Sequence, residues 1–314
     1  MLRRTLLAAA SSARLRRAAT TAPQARAIVG RYVAGETIAD AVHTARELRA
    51  GGLLVSLGYL GEDTADAGQA ADVADIYIRL LGGLSADGLT GGGGCEVSVK
   101  ATAVGLSLPE HGEKTAAENI TRICAAAGAA GTTVTLDAED HGAVDGTLRI
   151  AAGLRPDYAG LGCVVQARLR RSLADCGELT APGTRVRLCK GAYDEAPDVA
   201  YPKRRDVDLC YVRCLRTLMA GPGYPMVATH DPRLIDIATT LALMAGRSPR
   251  SFEYQMLYGV RPAEQRRLAG TGARVRVYVP FGRDWYGYLV RRLAERPGNL
   301  AFFLRSLAPD PRHR

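Results

Sequence analysis

Two adjacent arginines, Arg291 and Arg292, stand in the otherwise apolar segment YGYLVRRLAE near the end of the sequence. On a helix of about 3.6 residues per turn their side chains lie about 100° apart, so both can lean toward one pocket. Glu295 follows one turn later and Tyr288 lies one turn earlier, on the same side. Because guanidinium groups bind a carboxylate through paired hydrogen bonds, the segment predicts a fork for a small anion. The alternative is a solvated charged face.

A second group of polar residues stands at the carboxyl ends of β-like runs. Active sites of (βα)8 barrels are built at these strand ends. Most members of the group are cations or neutral hydrogen-bond donors, which suits a polyanionic cofactor with an acidic substrate better than a metal ion. Taken singly, each could also be a satisfied polar group near the end of a strand. The group comprises Lys100, Asp137, Gln166, Arg187, Lys190, Tyr193, Thr229, His230 and Tyr278.

The string DAEDH at 137–141 offers a different chemistry, because it places three carboxylates and a histidine close together. Neighbouring side chains on a strand point to opposite faces, so at most a subset could meet one ion. A divalent metal site therefore stays open as an alternative, and our prediction is that no metal is bound.

The elements that must position these residues alternate between short β-like runs and helical stretches. Helices are expected at 113–130, where Thr115 and Glu118 have capping-box spacing, and at 206–220. Pro232 and Pro262 are expected in first helical turns. About eight strand–helix units predict an α/β fold with a closed (βα)8 barrel of the TIM type, and a doubly wound open sheet is the alternative. The β-like runs are 53–60, 95–101, 133–138, 163–169, 185–191, 225–230, 252–257 and 274–280.

The net charge of +9 is concentrated near the start of the 314-residue chain, where seven arginines precede the first acidic residue, Glu36. This arm has the composition of a transit peptide, but we favour a basic amphipathic helix that packs on the domain or touches an anionic membrane surface. The uneven distribution weakens the case for nucleic-acid binding. No apolar run approaches the roughly 20 residues of a membrane span. Seven cysteines without a CxxC pair fit reduced thiols in a cytoplasmic protein.

Several strings, in this order along the chain, resemble the proline dehydrogenase family in its bacterial monofunctional form. They are LGE (60–62), VSVKATAVG, LDAED, VVQARLRR, VRLCKGAY, ATHD, FEYQMLYGVRP, VRVYVPFG and WYGYLVRRLAERPGN. The resemblance covers nearly all of the chain from residue 50 onward, and its last three strings are the most specific. It implies a distorted (βα)8 barrel at 51–314 that holds FAD across its strand ends. Extra N-terminal helices would form an arm at 1–50.

The resemblance implies a substrate site for L-proline. Arg291 and Arg292 would grip its carboxylate, with Lys100 as a third cation. Glu62 of the LGE string would pair with Arg291 as a gate. Tyr278 would shape the pocket around the pyrrolidine ring.

The resemblance also assigns residues to catalysis and to the flavin. Asp137 and Arg187 match catalytic positions. One departure concerns Asp231, which stands where the family is expected to have asparagine, so that an extra anion near the flavin pyrophosphate would need a partner. The positions that match flavin contacts are Ala138, Gln166, Arg187, Lys190, Gly191, Ala192, Thr229 and His230.

The implied reaction is FAD-dependent oxidation of L-proline to Δ1-pyrroline-5-carboxylate by hydride transfer to flavin N5, the first step of proline catabolism to glutamate. Electrons would pass on to a quinone, and the enzyme would be cytoplasmic, with peripheral contact at the inner face of the membrane. Two rival hypotheses remain. One is a metal- or Schiff-base-dependent barrel lyase that uses DAEDH or Lys190. The other is a basic surface-binding module that uses the arginine arm.

Overall fold

The computed structural model describes residues 29–61 and 64–294, and within the last helix it describes side chains only up to residue 290. The described chain forms a closed barrel of eight parallel strands in sequence order, in which β1 pairs with both β2 and β8. The strands are β1 Leu54–Tyr59, β2 Cys95–Val99, β3 Val134–Leu136, β4 Gly162–Gln166, β5 Arg185–Cys189, β6 Tyr224–Ala228, β7 Glu253–Leu257 and β8 Val275–Phe281. The predicted (βα)8 barrel is thus confirmed, and each of the eight β-like runs overlaps one strand.

Helices follow the strands and cover the outside of the barrel. In chain order they are α1 Ile38–Ala50, α2 Ala67–Ala86, α3 Gly112–Ala129, α4 His141–Leu154, α5 Ser172–Glu178, α6 Arg204–Ala220, α7 Pro232–Met244, α8 Pro262–Gly270 and α9 Trp285–Ala294. Short 3-10 turns occupy Gly91–Gly93 and Thr102–Val104. Among the described helices, none combines the length and the apolarity that a membrane span requires.

Two of the predicted helix starts are observed, and one is not. Pro232 and Pro262 begin α7 and α8, as predicted, because proline lacks the N–H that a first helical turn leaves unpaired anyway. The capping box expected at Thr115 is wrong, because α3 already begins at Gly112, after His111 in the left-handed region. The backbone N–H of Thr115 donates to the carbonyl of His111, so Thr115 lies inside the first turn.

The N-terminal segment packs against the end of β8. Ala34 N–H donates to the carbonyl of Pro280, and Gly282 N–H donates to the carbonyl of Gly35, both at 2.9 Å. Trp285 Nε1 donates to the Glu36 carboxylate at 3.2 Å. The described part of the predicted arm is thus joined to the barrel, and the domain division at residue 50 stays a prediction. The arginine-rich residues 1–28 lie outside the described residues.

The two faces of the strands differ in chemistry. The outward face is aliphatic and fully buried by the helices, as at Val55, Val97 and Val277. The inward face carries ions. Arg276 on β8 lies 2.7 Å from the Glu253 carboxylate and donates to the carbonyl of Val55 at 2.9 Å. Isolated buried charges are costly, so such an interior requires paired ions with satisfied hydrogen bonds.

Glu96 on β2 lies at the centre of this buried ionic layer, which we define as Glu96, Arg185, Glu253 and Arg276. Its carboxylate is 2.6 Å from Arg185, 3.6 Å from Arg187 and 3.8 Å from Arg276. Burial opposes ionisation, but the guanidinium groups of Arg185, Arg276 and Arg187 hold the pKa of Glu96 below its ordinary value. The layer therefore forms a rigid charged floor beneath the carboxyl ends of the strands.

Candidate active site at the carboxyl ends of the strands

Arg187 on β5 lies directly above this floor and is almost fully buried. Its Nε donates to Gln255 Oε1 at 2.5 Å, its Nη1 to Ser98 Oγ at 2.9 Å, and its Nη2 to Ser56 Oγ at 3.2 Å. Nη1 also lies 3.3 Å from the Asp137 carboxylate. Since these partners come from four other strands or strand ends, the closed barrel fixes the orientation of this guanidinium group.

Lys100, Asp137 and Ala138 lie together at the ends of β2 and β3. The Asp137 carboxylate accepts from the backbone N–H of Ala138 at 2.9 Å as well as from Arg187. Glu139, two residues after Asp137, accepts hydrogen bonds from both the backbone N–H and the hydroxyl of Thr102. Burial raises the pKa of Glu139, and the charge of Lys100 opposes that rise. The backbone N–H of Asp137 donates at 2.7 Å to the carbonyl of Val99, the residue before Lys100. These contacts join the loops after β2 and β3.

Tyr278 on β8 covers Arg187. Its ring centroid is 5.7 Å from Arg187 Cζ, within the range of a cation–π contact. Burial raises the pKa of the Tyr278 hydroxyl well above its ordinary value, so the group stays neutral at physiological pH. A neutral aromatic ring over a fixed cation forms one wall of the barrel mouth.

A separate cluster of charges surrounds Lys190 on the other side of the mouth; we call it the Lys190 cluster and define it as Lys190, Arg204, Asp208, Asp231 and Arg233. Lys190 Nζ lies 2.6 Å from Asp208 and 3.4 Å from Asp231. Arg233 lies 3.1 Å from Asp231, and Arg204 lies 3.8 Å from it. With three cations and two carboxylates, the cluster is positive overall.

Asp231 is the N-cap of α7, where its carboxylate also accepts from the backbone N–H of Arg233 at 3.2 Å. Hydrogen bonding to Arg233 is the largest cause that lowers the pKa of Asp231, to about 2, and Lys190 adds to it. The extra anion that the sequence introduces here is thus neutralised by its neighbours. The Thr229 hydroxyl accepts from the Asp231 N–H at 3.1 Å and helps to hold the turn.

The loop after β5 approaches β4 closely. Gly191 has φ of 91°, and a Cβ at this position would lie 2.9 Å from Gln166 Oε1, so a side chain would be excluded. Gln166 Nε2 donates to the carbonyl of Glu139 at 2.6 Å. Further along this loop, the Glu195 carboxylate lies 2.6 Å from Nδ1 of His141, the first residue of α4. Ala192 follows Gly191, and both residues are half-buried.

His230 connects β6 with β7. Its Nε2 accepts from the backbone N–H of Leu257 at 2.9 Å, and its carbonyl accepts from Arg261 Nη1 at 2.6 Å. Because an unprotonated Nε2 is needed to accept that N–H, the contact fixes a neutral imidazole with its proton on Nδ1.

The structure therefore brings together all the predicted site residues whose side chains it describes. They come from the ends of β2 to β6 and from β8, at one end of the barrel. Arg291 and Arg292 lie on α9, but their side chains, like all of Glu62, lie outside the described residues. Their proposed carboxylate clamp and gate stay predictions.

The carboxylates of DAEDH do not converge. Asp137 faces Arg187, Glu139 binds Thr102, and Asp140 caps α4 through the backbone N–H groups of residues 142 and 143. His141 pairs with Glu195. Within residues 29–61 and 64–294, no group of three or more acidic, histidine or cysteine side chains is placed to hold a metal ion.

Three residues that orient Arg187 were missed in the sequence, namely Ser56, Ser98 and Gln255. A signal existed on β2, where Glu96, Ser98 and Lys100 recur with the period of two that marks one face of a strand. Charged and polar residues at successive inward positions indicate that the barrel interior itself is polar. A second signal existed on β7, where Glu253 and Gln255 recur with the same period. Ser56 carries no comparable local signal.

These features define an enzyme of the (βα)8 class, with a cationic, rigidly oriented mouth at the carboxyl ends of its strands. A family model described as proline dehydrogenase matches residues 41–305. The proline dehydrogenase of Deinococcus radiodurans is 39% identical over 279 residues, which cover 88% of this chain and 89% of that protein. Proline dehydrogenase 1 of Bacillus subtilis is 37% identical over 277 residues, which cover 88% of this chain and 89% of that protein.

A solved structure has the same fold. The proline utilization A protein of Bdellovibrio bacteriovorus, inactivated by N-propargylglycine, superimposes with a TM-score of 0.81 and 25% sequence identity. The match covers 90% of this chain and 35% of that one, so the chain spans about a third of the larger protein. The chain belongs to the proline dehydrogenase family and is an oxidoreductase of that family.

Proposed function

We infer that the protein oxidises L-proline to Δ1-pyrroline-5-carboxylate with FAD as cofactor, as the first step of proline catabolism. The observation that carries this inference is the grouping of Lys100, Asp137, Arg187 and Tyr278 at one end of the barrel, beneath the strand-end loops. Together with membership of the family, this grouping favours an anionic substrate with a small apolar ring.

The residues present fit a flavin dinucleotide. The Lys190 cluster is positive and adjoins the N-terminus of α7, and both properties favour a diphosphate. Gly191 and Ala192 present little or no side chain to a cofactor, and Gly191 packs against Gln166, where a Cβ would not fit. Lys190, Thr229 and His230 would hold the diphosphate side of the cofactor. Ala138, Gln166 and Arg187 would hold the side that carries the ring system.

When bound, FAD would supply the oxidant, a hydride acceptor at N5 for the carbon next to the proline nitrogen. The chain supplies orientation and charge. Arg291, Arg292 and Lys100 bind the proline carboxylate, so that the reacting carbon is held in one direction. In this proposal Tyr278 would bound the ring, and Glu62 would pair with Arg291 as a gate. Arg187, held by Asp137 and the barrel floor, places a fixed positive charge where negative charge develops.

The test is the anaerobic visible spectrum of the purified protein before and after addition of L-proline. We expect a flavin absorption band that is bleached by L-proline and not by D-proline. A yellow protein that L-proline does not bleach would overturn the assignment of the substrate, and a protein without affinity for FAD would overturn that of the cofactor.

Arg292→Met tests the proposed clamp. A hydrogen bond to a charged group contributes about 1.5–3 kcal/mol, so losing this arginine should lower kcat/KM for proline roughly 10- to 150-fold, mainly through KM. Flavin content should not change. Arg267→Met is the matched control, because this exposed arginine on α8 pairs only with Glu264 among the contacts described for it. An unchanged KM in Arg292→Met would remove this arginine from the clamp.

We also infer that electrons leave to a membrane quinone, and that the basic residues 1–28 bring a cytoplasmic enzyme to the inner face of the membrane. The concentration of arginine before Glu36 supports this inference, since anionic lipids attract such segments. Deletion of residues 1–28 should weaken sedimentation with anionic vesicles and slow quinone reduction, while bleaching by proline persists. Wild-type quinone reduction by the truncated protein would contradict the inference.

A further inference from the structure

Gly58 on β1 lies directly beside the hydroxyl end of Tyr278. A Cβ placed on Gly58 would lie 2.2 Å from the Tyr278 hydroxyl oxygen and 2.7 Å from Cζ. Gly58 does not adopt a positive φ, and it sits in regular strand pairing opposite Ser98 and Pro280. The position therefore needs glycine for space and not for backbone conformation.

The aromatic ring of Tyr278 is confined on a second side by Arg187, whose Cζ lies 5.7 Å from the ring centroid. Arg187 cannot retreat, because Gln255, Ser98 and Ser56 accept its hydrogen bonds from within the closed barrel. If residue 58 carried a methyl group, the hydroxyl end of the ring would have to move by roughly 1 Å to restore ordinary contact.

The direction of that movement follows from the barrel wall. Gly58 belongs to the wall, so a side chain there pushes the hydroxyl end of Tyr278 away from β1 and toward the barrel axis. The space that the ring would enter lies above Arg187, in the mouth where the substrate is expected. A methyl group at residue 58 thus removes volume from the pocket without touching the substrate itself.

We propose that Gly58 is a positioning residue that sets the ring size accepted by the enzyme, by letting Tyr278 lie flat against the wall of the barrel. The proposal rests on the proposed function, because it treats the space beside Tyr278 as the pocket for the pyrrolidine ring. Gly58 acts through Tyr278, and its effect is on which cyclic amino acid fits.

The experiment compares L-proline with its four-membered-ring homologue, L-azetidine-2-carboxylate, in wild type and in Gly58→Ala. One methylene group in a close-fitting pocket changes kcat/KM by roughly 10- to 200-fold. We expect Gly58→Ala to lower kcat/KM for proline at least tenfold, mainly through KM, and to lower that for the smaller ring much less. The ratio between the two substrates should shift toward azetidine by about tenfold. A crystal structure should show the Tyr278 hydroxyl displaced by roughly 1 Å.

Gly162→Ala is the matched control. Gly162 also lies on a strand, and a Cβ there would meet Thr135 at 3.0 Å and Met226 at 3.2 Å, so the substitution crowds the barrel without reaching Tyr278. This variant should leave the ratio between the two substrates as in wild type. An unchanged ratio in Gly58→Ala, or an equal shift in Gly162→Ala, would overturn the proposal.

The double variant Gly58→Ala/Tyr278→Leu separates crowding from folding. Leucine lacks the outer part of the ring, so the alanine should have no further effect on the ratio in this background. If Gly58→Ala alone did not fold, the double variant should regain a folded protein with bound flavin. If Tyr278→Leu alone folds and the double variant does not, residue 58 meets something other than Tyr278, and the proposal would be overturned. If wild type itself did not oxidise proline, the proposed function would be wrong.

Discussion

Asp231→Asn removes one negative charge from the Lys190 cluster and leaves nearly the same atoms. In the wild type the carboxylate lies 3.1 Å from Arg233 and 3.4 Å from Lys190, and its pKa is lowered to about 2 from an ordinary value of 3.8. A shift of nearly two pKa units corresponds to about 2 kcal/mol of stability at neutral pH and low salt. Asparagine keeps the helix cap of α7, because its side-chain oxygen also accepts from the first turn.

The pH dependence of this effect has a definite sign. A carboxylate whose pKa is lowered by folding contributes its full stabilisation above the unfolded pKa, near 4, and loses it as the pH falls toward the folded pKa, near 2. The free energy of unfolding of Asp231→Asn should therefore be about 2 kcal/mol lower than that of wild type at pH 7. The difference should shrink to about half that value at pH 3.

The assay is urea unfolding of the flavin-free proteins, followed by far-UV circular dichroism between pH 3 and pH 7. Asp140→Asn is the control, because Asp140 caps α4 through the N–H groups of residues 142 and 143 and has no cation among its described partners. An equal loss in both variants, or a loss in Asp231→Asn that does not change with pH, would refute the electrostatic reasoning and leave only the cap.

Two further predictions concern groups that the sequence did not reveal. Gln255→Leu leaves Nε of Arg187 buried without its acceptor, a cost of about 1–3 kcal/mol, so kcat for proline should fall about 5- to 150-fold while flavin is retained. Gln265→Leu, a buried glutamine of α8, should leave kcat unchanged, and equal effects in both variants would contradict the role of Gln255. Arg247→Met removes donors to five carbonyl groups around the end of α6 and should lower the free energy of unfolding by about 2–4 kcal/mol in urea titrations, whereas the exposed Arg250→Met should change it little.

Most of the architecture could be predicted because its signals are local. Each strand is a short run with β-branched or aliphatic residues between helical stretches, and the order of these units determines a parallel barrel. Pro232 and Pro262 mark helix starts through a backbone property of one residue. The capping box expected at Thr115 was wrong, because the same four-residue pattern also occurs inside helices.

The candidate site was predictable where a residue is polar at a strand end, as for Asp137, Lys190 and Tyr278. The groups that orient Arg187 were not. Ser56 and Gln255 are 131 and 68 residues away from it in the sequence, and only closure of the barrel makes them its neighbours. A single sequence contains no local pattern for such a contact.

The ionic layer in the barrel interior constrains how this sequence can change over evolutionary time. Glu253 and Arg276 are nearly inaccessible to solvent, and each neutralises the other. Loss of one partner leaves a buried charge unpaired at a cost of about 3–5 kcal/mol, which is a large part of the stability of an ordinary domain. Replacement of both partners by an apolar pair of similar volume can be tolerated. Substitutions in this interior are therefore expected to be accepted two at a time. A lineage that leaves the ionic arrangement must cross an unstable single mutant, so the layer persists even where the chemistry of the mouth does not require it.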